Sequence, residues 1–481
     1  MFILTNKKMR TDKKYSFSAL AMVILTLATL LSLSGCKKLL EIKTPSNQLE
    51  SKNIYLDSVS AQATVNGLYT VMYNTTSGGT VVTTTYGTFL TTCQGRSADE
   101  VYAPASTTDE FVNNSLVPTT GLVNTVWVAL YQTIYQANKV IEGMEASALS
   151  PTLKRQLIGE AKFLRAYAHF HLVNLWGDVP LITTTEVSLT SIQGRNSTDV
   201  VYAQMIQDLK DAQGALSTNY SWSANLRTRA NSSAATALLA RVYLYNKQYA
   251  LAEQEASKII AQTALYTLPS ALNTVFLKAS NETIWAFNTN QFGYPFIGRA
   301  LLPTSATVDP SLALTPSFLS AFERDATRAD YEDDRYAAWT KAAPSGLRYA
   351  AKYISNTAAA NTEFQVVLRL AEQYLIRAEA RIQQNNLTGG ISDLNVIRTR
   401  AGLHGTFATT QADLLLAVEH ERQIELFLEY GTRFYDLKRT GRIDAVLGAV
   451  KGTIWGPTDA LYPIPTTQIN ANVNLSQNKG Y

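Results

Sequence analysis

The apolar positions change their spacing several times along the chain, and each change marks an element. Residues 19–33 are almost unbroken apolar sequence, behind a basic head of Lys7, Lys8, Arg10, Lys13 and Lys14. A helical pattern begins near Ser58, in DSVSAQATVNGLYTVMY. Residues 75–122 break it. They are rich in Thr, Ser and Gly, dotted with Tyr86, Phe89, Tyr102 and Phe111, and read as a long irregular stretch of the kind that carries function. From Trp127 helices dominate. In RQLIGEAKFLRAYAHFHLVNLWGDVP, Leu157, Ala161, Leu164, Ala168, Leu172 and Leu175 recur three or four apart, one apolar stripe of a long helix. Pro151 suits its first turn, and Gly177 and Pro180 stop it.

A helix pair follows in ALLARVYLYNKQYALAEQEASKII. Ala237, Leu238, Val242, Tyr249, Ala252 and Ala256 place small residues where two antiparallel helices must approach closely, as in a tetratricopeptide repeat. YLIRAEARIQQNNLTGGISDLNVIRTRAG repeats the plan more loosely, with Ile391 where an alanine is usual. Between these pairs residues 265–360 are mixed. ETIWAF alternates like a strand, and NTNQFGYPFIGRALLPTS reads as loop. The expected fold is mostly α: tetratricopeptide-like helix pairs forming a scaffold that carries a loop-rich, irregular ligand-binding face.

The two ends of the apolar run at 19–33 change the picture. A basic head and a short apolar core have the layout of a secretory signal peptide. A plain membrane anchor is the alternative, since the run is near the short end of what spans a bilayer. Leu33-Ser34-Gly35-Cys36 decides between them, because it resembles the lipobox of bacterial lipoproteins, in which the Cys36 thiol receives a diacylglycerol and becomes the mature N-terminus. The chain has one other cysteine, Cys93, which reads as a small buried hydrophobe. The domains expected are a signal peptide at 1–35, a lipid-anchored tether at 36–57, and two regions at 58–264 and 265–481. With 46% hydrophobic residues the mature chain can bury a large core. Part of the net charge of +4 belongs to the leader, and no basic stripe remains that would bind nucleic acid.

The patterns of catalysis are missing. HExxH, GxSxG, GxGxxG and P-loop motifs do not occur. His169 and His171 lie two apart on a helix and point in different directions, so they do not share a metal; His404 and His420 complete the set. Glu421, Glu425 and Glu429 line one helical face in ERQIELFLEYGTRFYDLKRTGR, and a carboxylate pair is what glycoside hydrolysis uses. Arg422 and Arg433, three or four residues away, make structural ion pairs the better reading. Glu332, Asp333 and Asp334 in YEDDRY lack the spacing of a calcium loop and read as a solvated turn. No metal site and no cofactor is expected.

Six blocks in order carry a resemblance: EAKFLRAYAHFHLVNLWGDVPL, ALLARVYLY, VLRLAEQYLIRAEA, LNVIRTRAGL, ERQIELFLEYGTRFYDLKRTGR and LYPIPTTQINANVNLSQNKGY. Together they resemble the SusD/RagB family, outer-membrane lipoproteins of Bacteroidetes that capture nutrients for import. Two positions depart from that family: Lys479 stands where it usually has Pro, and Lys37-Lys38-Leu39-Leu40-Glu41 is less acidic than many surface-export signals. The resemblance implies a non-catalytic nutrient-binding protein, anchored in the outer membrane and facing outward. It also implies a SusC-like TonB-dependent transporter as partner, with this chain as a lid. Oligosaccharide is the first expectation for the ligand. A peptide ligand, as in RagB-like members, a helical-repeat adaptor that binds only proteins, and a surface glycosidase are the alternatives.

Within that resemblance the six blocks read as framework, and Arg398 and Arg400 as pins for helix ends. The ligand is sought on irregular loops, where rings meet the C–H face of a sugar and amides or charges meet its hydroxyls. Two loops have that composition. One holds Tyr86, Gln94, Arg96, Asp99 and Tyr102. The other holds Asn290, Gln291, Phe292, Tyr294 and Phe296, with Tyr336 and Trp339 further on. The ligand-binding residues expected are Tyr86, Arg96, Asp99, Tyr102, Gln291, Phe292, Tyr294 and Trp339. Core packing is the competing role for each ring, and helix capping for Asp99.

Overall fold

The computed structural model describes residues 21–25, 54–73, 75–77, 80–82, 86–324, 332–359 and 361–481. Cys36 and the rest of the leader and tether, apart from 21–25 and 54–57, lie outside them. Residues 21–25 form an exposed helical segment within a separate unit, Met1–Ile54. Among the described residues no helix is long and apolar enough to cross a membrane.

The second unit, Tyr55–Tyr481, is mostly helical. It starts earlier than the apolar pattern at Ser58 implies. Tyr55 is buried, and its ring lies where a side chain at Gly143 would stand, 2.2 Å from that Cβ position. The main helices are α1 Ser58–Tyr73, α2 Tyr86–Ser97, α3 Gly121–Glu145, α4 Pro151–Trp176, α5 Thr198–Ala215, α6 Ser232–Tyr245 and α7 Tyr249–Ile260. They continue with α8 Phe296–Leu301, α9 Asp334–Trp339, α10 Leu370–Gln383, α11 Leu387–Arg400, α12 Gln411–Glu425, α13 Thr432–Arg439 and α14 Ile443–Lys451.

The helices α3, α4, α5, α6, α7, α10 and α11 form a ladder in which each packs on the one before and the one after. Helix α4 shows how the sequence sets one rung. Ser150 caps it by accepting from Leu153 N, Pro151 occupies its first turn, and Gly177 leaves it at φ 71°, the left-handed region that favours glycine. It is buried on nearly every side, so polar groups inside must be matched: Arg165 forks onto Asp208 of α5 at 2.6 and 2.8 Å. His169 and His171 are both buried. Burial, aided by Arg165, pulls His169 down to about 3, so it is a neutral ring whose Nδ1 meets Arg165 O at 3.0 Å. Ala252 and Ala256 of α7 are fully buried, and Arg241 of α6 forks onto Glu372 of α10 at 2.6 Å.

The ladder is therefore interrupted in sequence but not in space. Residues 261–369 leave it after α7 and return at α10. They carry the antiparallel pair β4 Thr283–Phe287 and β8 Gln365–Arg369, plus short pairs: β5 Ala313–Leu314 with β3 Val101–Tyr102, and β6 Thr340–Ala342 with β7 Arg348–Ala350. A further hairpin joins β1 Thr75–Ser77 to β2 Thr80–Val82. ETIWAF is the strand expected, but both of its faces are buried, so the alternation in its sequence is not an in–out pattern. The stretch expected to be loop at 288–305 contains α8. The irregular stretch expected at 75–122 contains α2.

A buried ionic cluster holds the excursion to the C-terminal helices. Glu425 accepts from Arg335 (3.0 Å), Arg369 (2.5 Å) and Arg400, while Glu282 takes Arg369 and Arg400 at 2.8 and 2.7 Å. Burial alone would raise the Glu425 carboxyl, but Arg400, Arg369 and Arg335 hold it well below the usual carboxylate range. The structural role expected of these carboxylates therefore holds, with different partners. Glu429 lies past the end of α12, because Leu428 and Tyr430 adopt φ of 53° and 51° and turn the chain. It pairs with Arg369 and Lys352, while Arg422 pairs with Asp436 and Arg433 with Asp99. Asp333 is not in a solvated turn. It is buried, caps α9 and forks onto Arg335. Arg398 and Arg400 pin the end of α11 as expected: Arg398 donates to His404 O at 2.9 Å, and the two reach Glu323 and Glu282 from its last turn.

Candidate functional site

Helix α1 presents Asn66, Tyr69, Thr70 and Tyr73 at positions i, i+3, i+4 and i+7, so all four fall on one face. That face forms one wall of a cleft of about 490 Å³. The opposite wall is the turn around Trp222 with Ser223, Ala224, Leu226, Thr228 and Arg229, and the third side is the segment leaving β4, with Phe287, Asn288, Asn290 and Gln291.

The two tyrosines turn their hydroxyls into the protein and leave their rings as wall. Tyr69 Oη donates to Glu160 at 2.8 Å and accepts from Ala230 N at 2.9 Å. Burial and the Glu160 carboxylate hold its phenol well above the ordinary value, against the pull of Arg229. Tyr73 Oη donates to Tyr294 O at 3.1 Å, and its ring stacks on Phe296 at 4.8 Å and Phe287 at 5.9 Å. Trp222 differs. It is half-buried and stands on a one-turn 3-10 segment, Ser221–Ser223. Ala224 and Asn225 follow at φ 52° and 63°, two consecutive non-glycine residues in the left-handed region. Such strain persists only where neighbours impose it. Here Asn225 N bonds Tyr220 O at 2.9 Å, and Tyr220 Oη is fixed to Ile284 O at 2.8 Å.

Among the described lining residues the charged one is Arg229. Its Nε and Nη2 fork onto Glu160 at 2.9 and 2.7 Å, and Nη1 reaches Trp222 O at 3.3 Å. Glu160 has no exposed surface and also accepts from Gln156 at 2.8 Å and from Tyr69, so all four of its acceptor sites are filled. Asn288, Asn290 and Gln291 are exposed at the rim. Asn288 Oδ1 accepts from Asn290 N at 2.9 Å, and Asn290 Oδ1 from Lys278. None of the described residues lining the cleft is Asp, Glu or His. Among the described residues, no group of three His, Cys, Asp or Glu side chains could hold a metal ion.

Of the residues expected to meet ligand, Gln291 lines this cleft. Phe292 stands behind it, its ring against Tyr73 and Phe296 at 6.2 and 4.7 Å. Tyr294 is buried and accepts from Arg299 at 2.8 Å. Trp339 is core: it is 1% exposed and its Nε1 donates to Leu272 O at 3.1 Å. The other expected loop does not join them. Tyr86 is the first residue of α2. Arg96 is consumed by Asp109 and lies over Phe111 at 4.9 Å. Asp99 is neither a helix cap nor a ligand group but the buried partner of Arg433, at 2.8 Å. Tyr102 sits in β3, opposite Ala313. The residues missed are Tyr69, Tyr73, Trp222 and Arg229. Their signal was present as an aromatic, amide and hydroxyl face at helical spacing in α1, and as a lone Trp among Ser and Asn in NYSWSAN.

Residues 38–244 match the SusD-like family described as starch-binding and associating with the outer membrane, and residues 331–481 match the SusD family. SusD-like protein P25 of Formosa agariphila is 23% identical across 95% of this chain and 99% of its own length. Among solved structures, a SusD superfamily protein of Bacteroides vulgatus superposes with a TM-score of 0.77 at 21% identity, covering 89% of this chain and all of its own. A laminarin-binding SusD-like protein superposes with a TM-score of 0.74 at 24% identity, over 89% of this chain and all of its own.

Proposed function

Given that this chain belongs to the SusD/RagB family, we propose that it is a non-catalytic binding protein that captures an oligosaccharide in the cleft between α1, the Trp222 turn and the end of β4. The lining of that cleft carries the reading. Rings with inward hydroxyls offer C–H-binding faces, and exposed amides at the rim offer both donors and acceptors to sugar hydroxyls. The family's description as starch-binding and outer-membrane-associated supports the ligand class and the location. Among the described residues that line the cleft there is no carboxylate pair of the kind two-carboxylate glycoside hydrolysis uses. The chain acts as a lid on a SusC-like TonB-dependent transporter and is held to the outer membrane, facing outward, by acylated Cys36.

Trp222 is the ring to test, because it is half-buried on a turn whereas Tyr69 and Tyr73 are built into the core. Trp222→Ala should weaken oligosaccharide binding by about 1–3 kcal/mol, the usual range for a stacking anchor, and leave the thermal midpoint nearly unchanged. Binding that survives Trp222→Ala at full strength removes this cleft as the site. Release of reducing sugar from the bound glycan by the pure protein removes the non-catalytic assignment.

A further inference from the structure

We propose that this cleft selects uncharged oligosaccharides and rejects those bearing uronate or sulfate groups; the inference rests on the reading of the cleft as a glycan site. An anionic sugar must lose part of its hydration on entering and needs an uncompensated cation in return. Among the described residues that line the cleft no cation is uncompensated. Arg229, the cation in its wall, is already neutralised by Glu160, whose four acceptor sites are filled by Arg229, Gln156 and Tyr69. Lys278, behind Asn290, does not line the cleft and donates to Asn290 and Asn361 while lying over the Phe364 ring. The remaining polar groups are amides and hydroxyls: Asn66, Thr70, Ser223, Thr228, Asn288, Asn290 and Gln291. Those groups hydrogen-bond neutral hydroxyls well and give a carboxylate no full charge to pair with. With no Asp or Glu among the described lining residues, the cleft likewise offers no counter-charge for an amino sugar or a basic peptide.

The test is equilibrium binding of the full chain in detergent to two sets of soluble polysaccharides. One set is laminarin, amylopectin and xyloglucan; the other is polygalacturonate, alginate and carrageenan. Each is measured at low and at high salt. The expected result is binding confined to the neutral set. It should change by less than about twofold with salt, because no ion pair is screened, and it should fall roughly 5- to 150-fold in Trp222→Ala. Thr70 is exposed on α1 and lines the cleft, so Thr70→Lys adds a free cation there; this variant should gain salt-sensitive affinity for polygalacturonate. Salt-sensitive binding of the unsubstituted chain to the anionic set, abolished by Trp222→Ala, overturns the selectivity and leaves the glycan reading standing. Binding to neither set overturns both.

Discussion

Glu100 is buried beside Asp99 and accepts from Leu428 N at 3.1 Å. Burial, and secondarily Asp99, pushes its carboxyl up to about 8, with Leu428 N, Arg433 and Lys352 pulling the other way. The folded chain therefore keeps a proton there that the unfolded chain loses near the ordinary value of 4.5. Stability falls as pH rises through the window from 4.5 to 8, because the unfolded state binds fewer protons across it. Glu100→Gln keeps an acceptor for Leu428 and cannot ionise. Its thermal midpoint should match the parent near pH 5 and exceed it near pH 9; a parallel fall in both proteins would remove Glu100 as the cause. At this scale the sequence was partly legible. Gln291 was named for the mix of amides and rings in Asn290–Phe296, and it lines the cleft. The fate of Arg96, Asp99 and Trp339 was not legible, since polar or aromatic composition in a loop-like stretch looks the same whether a residue faces ligand or a buried partner far away in sequence. Arg433 is more than three hundred positions from Asp99.

Ala252 and Ala256 of α7 have no exposed surface. Ala252→Leu adds a branched chain to that buried position and should cost about 1–3 kcal/mol by overpacking, read as a lower urea midpoint. Leu251→Ala, one position away and 38% exposed, should stay within about 0.5 kcal/mol. The ionic cluster makes a second test. Glu425→Gln leaves Arg335, Arg369 and Arg400 facing each other with one carboxylate fewer, which should cost on the order of 3–5 kcal/mol. A loss below about 1 kcal/mol would mean that Glu282, Glu421 and Glu429 suffice. The elements themselves were largely legible, because α4, α6 and α7 combine apolar spacing with Pro, Asn and Gly signals at their ends. The short helices α2 and α8 were not, since Thr and Gly dominate the first and a Pro precedes the second. The partners of Glu429 were misplaced because the helical pattern runs past Leu428, where the backbone turns left-handed without a glycine to announce it.

At the scale of the whole molecule the proposal joins Cys36, the helical ladder and the cleft into one device on the outer membrane. Cys36→Ala should yield precursor or released protein without lipid label, and should lower recovery of a large barrel protein in mild-detergent pull-downs, because tethering raises the local concentration for re-docking. Normal lipid labelling of that variant would remove the anchor. The helical class was readable from periodicity alone. What periodicity does not carry is that the ladder closes across the excursion at 261–369. Until α10 arrives, the α7 flank on which it packs, where Glu253 and Ser257 meet Arg381 and Arg377, has no cover. Closing roughly 110 residues of chain costs on the order of 4 kcal/mol in loop entropy before that seam forms. Refolding should thus stall with one rung bare, and it is this intermediate, rather than the finished protein, whose sticky flank invites self-association.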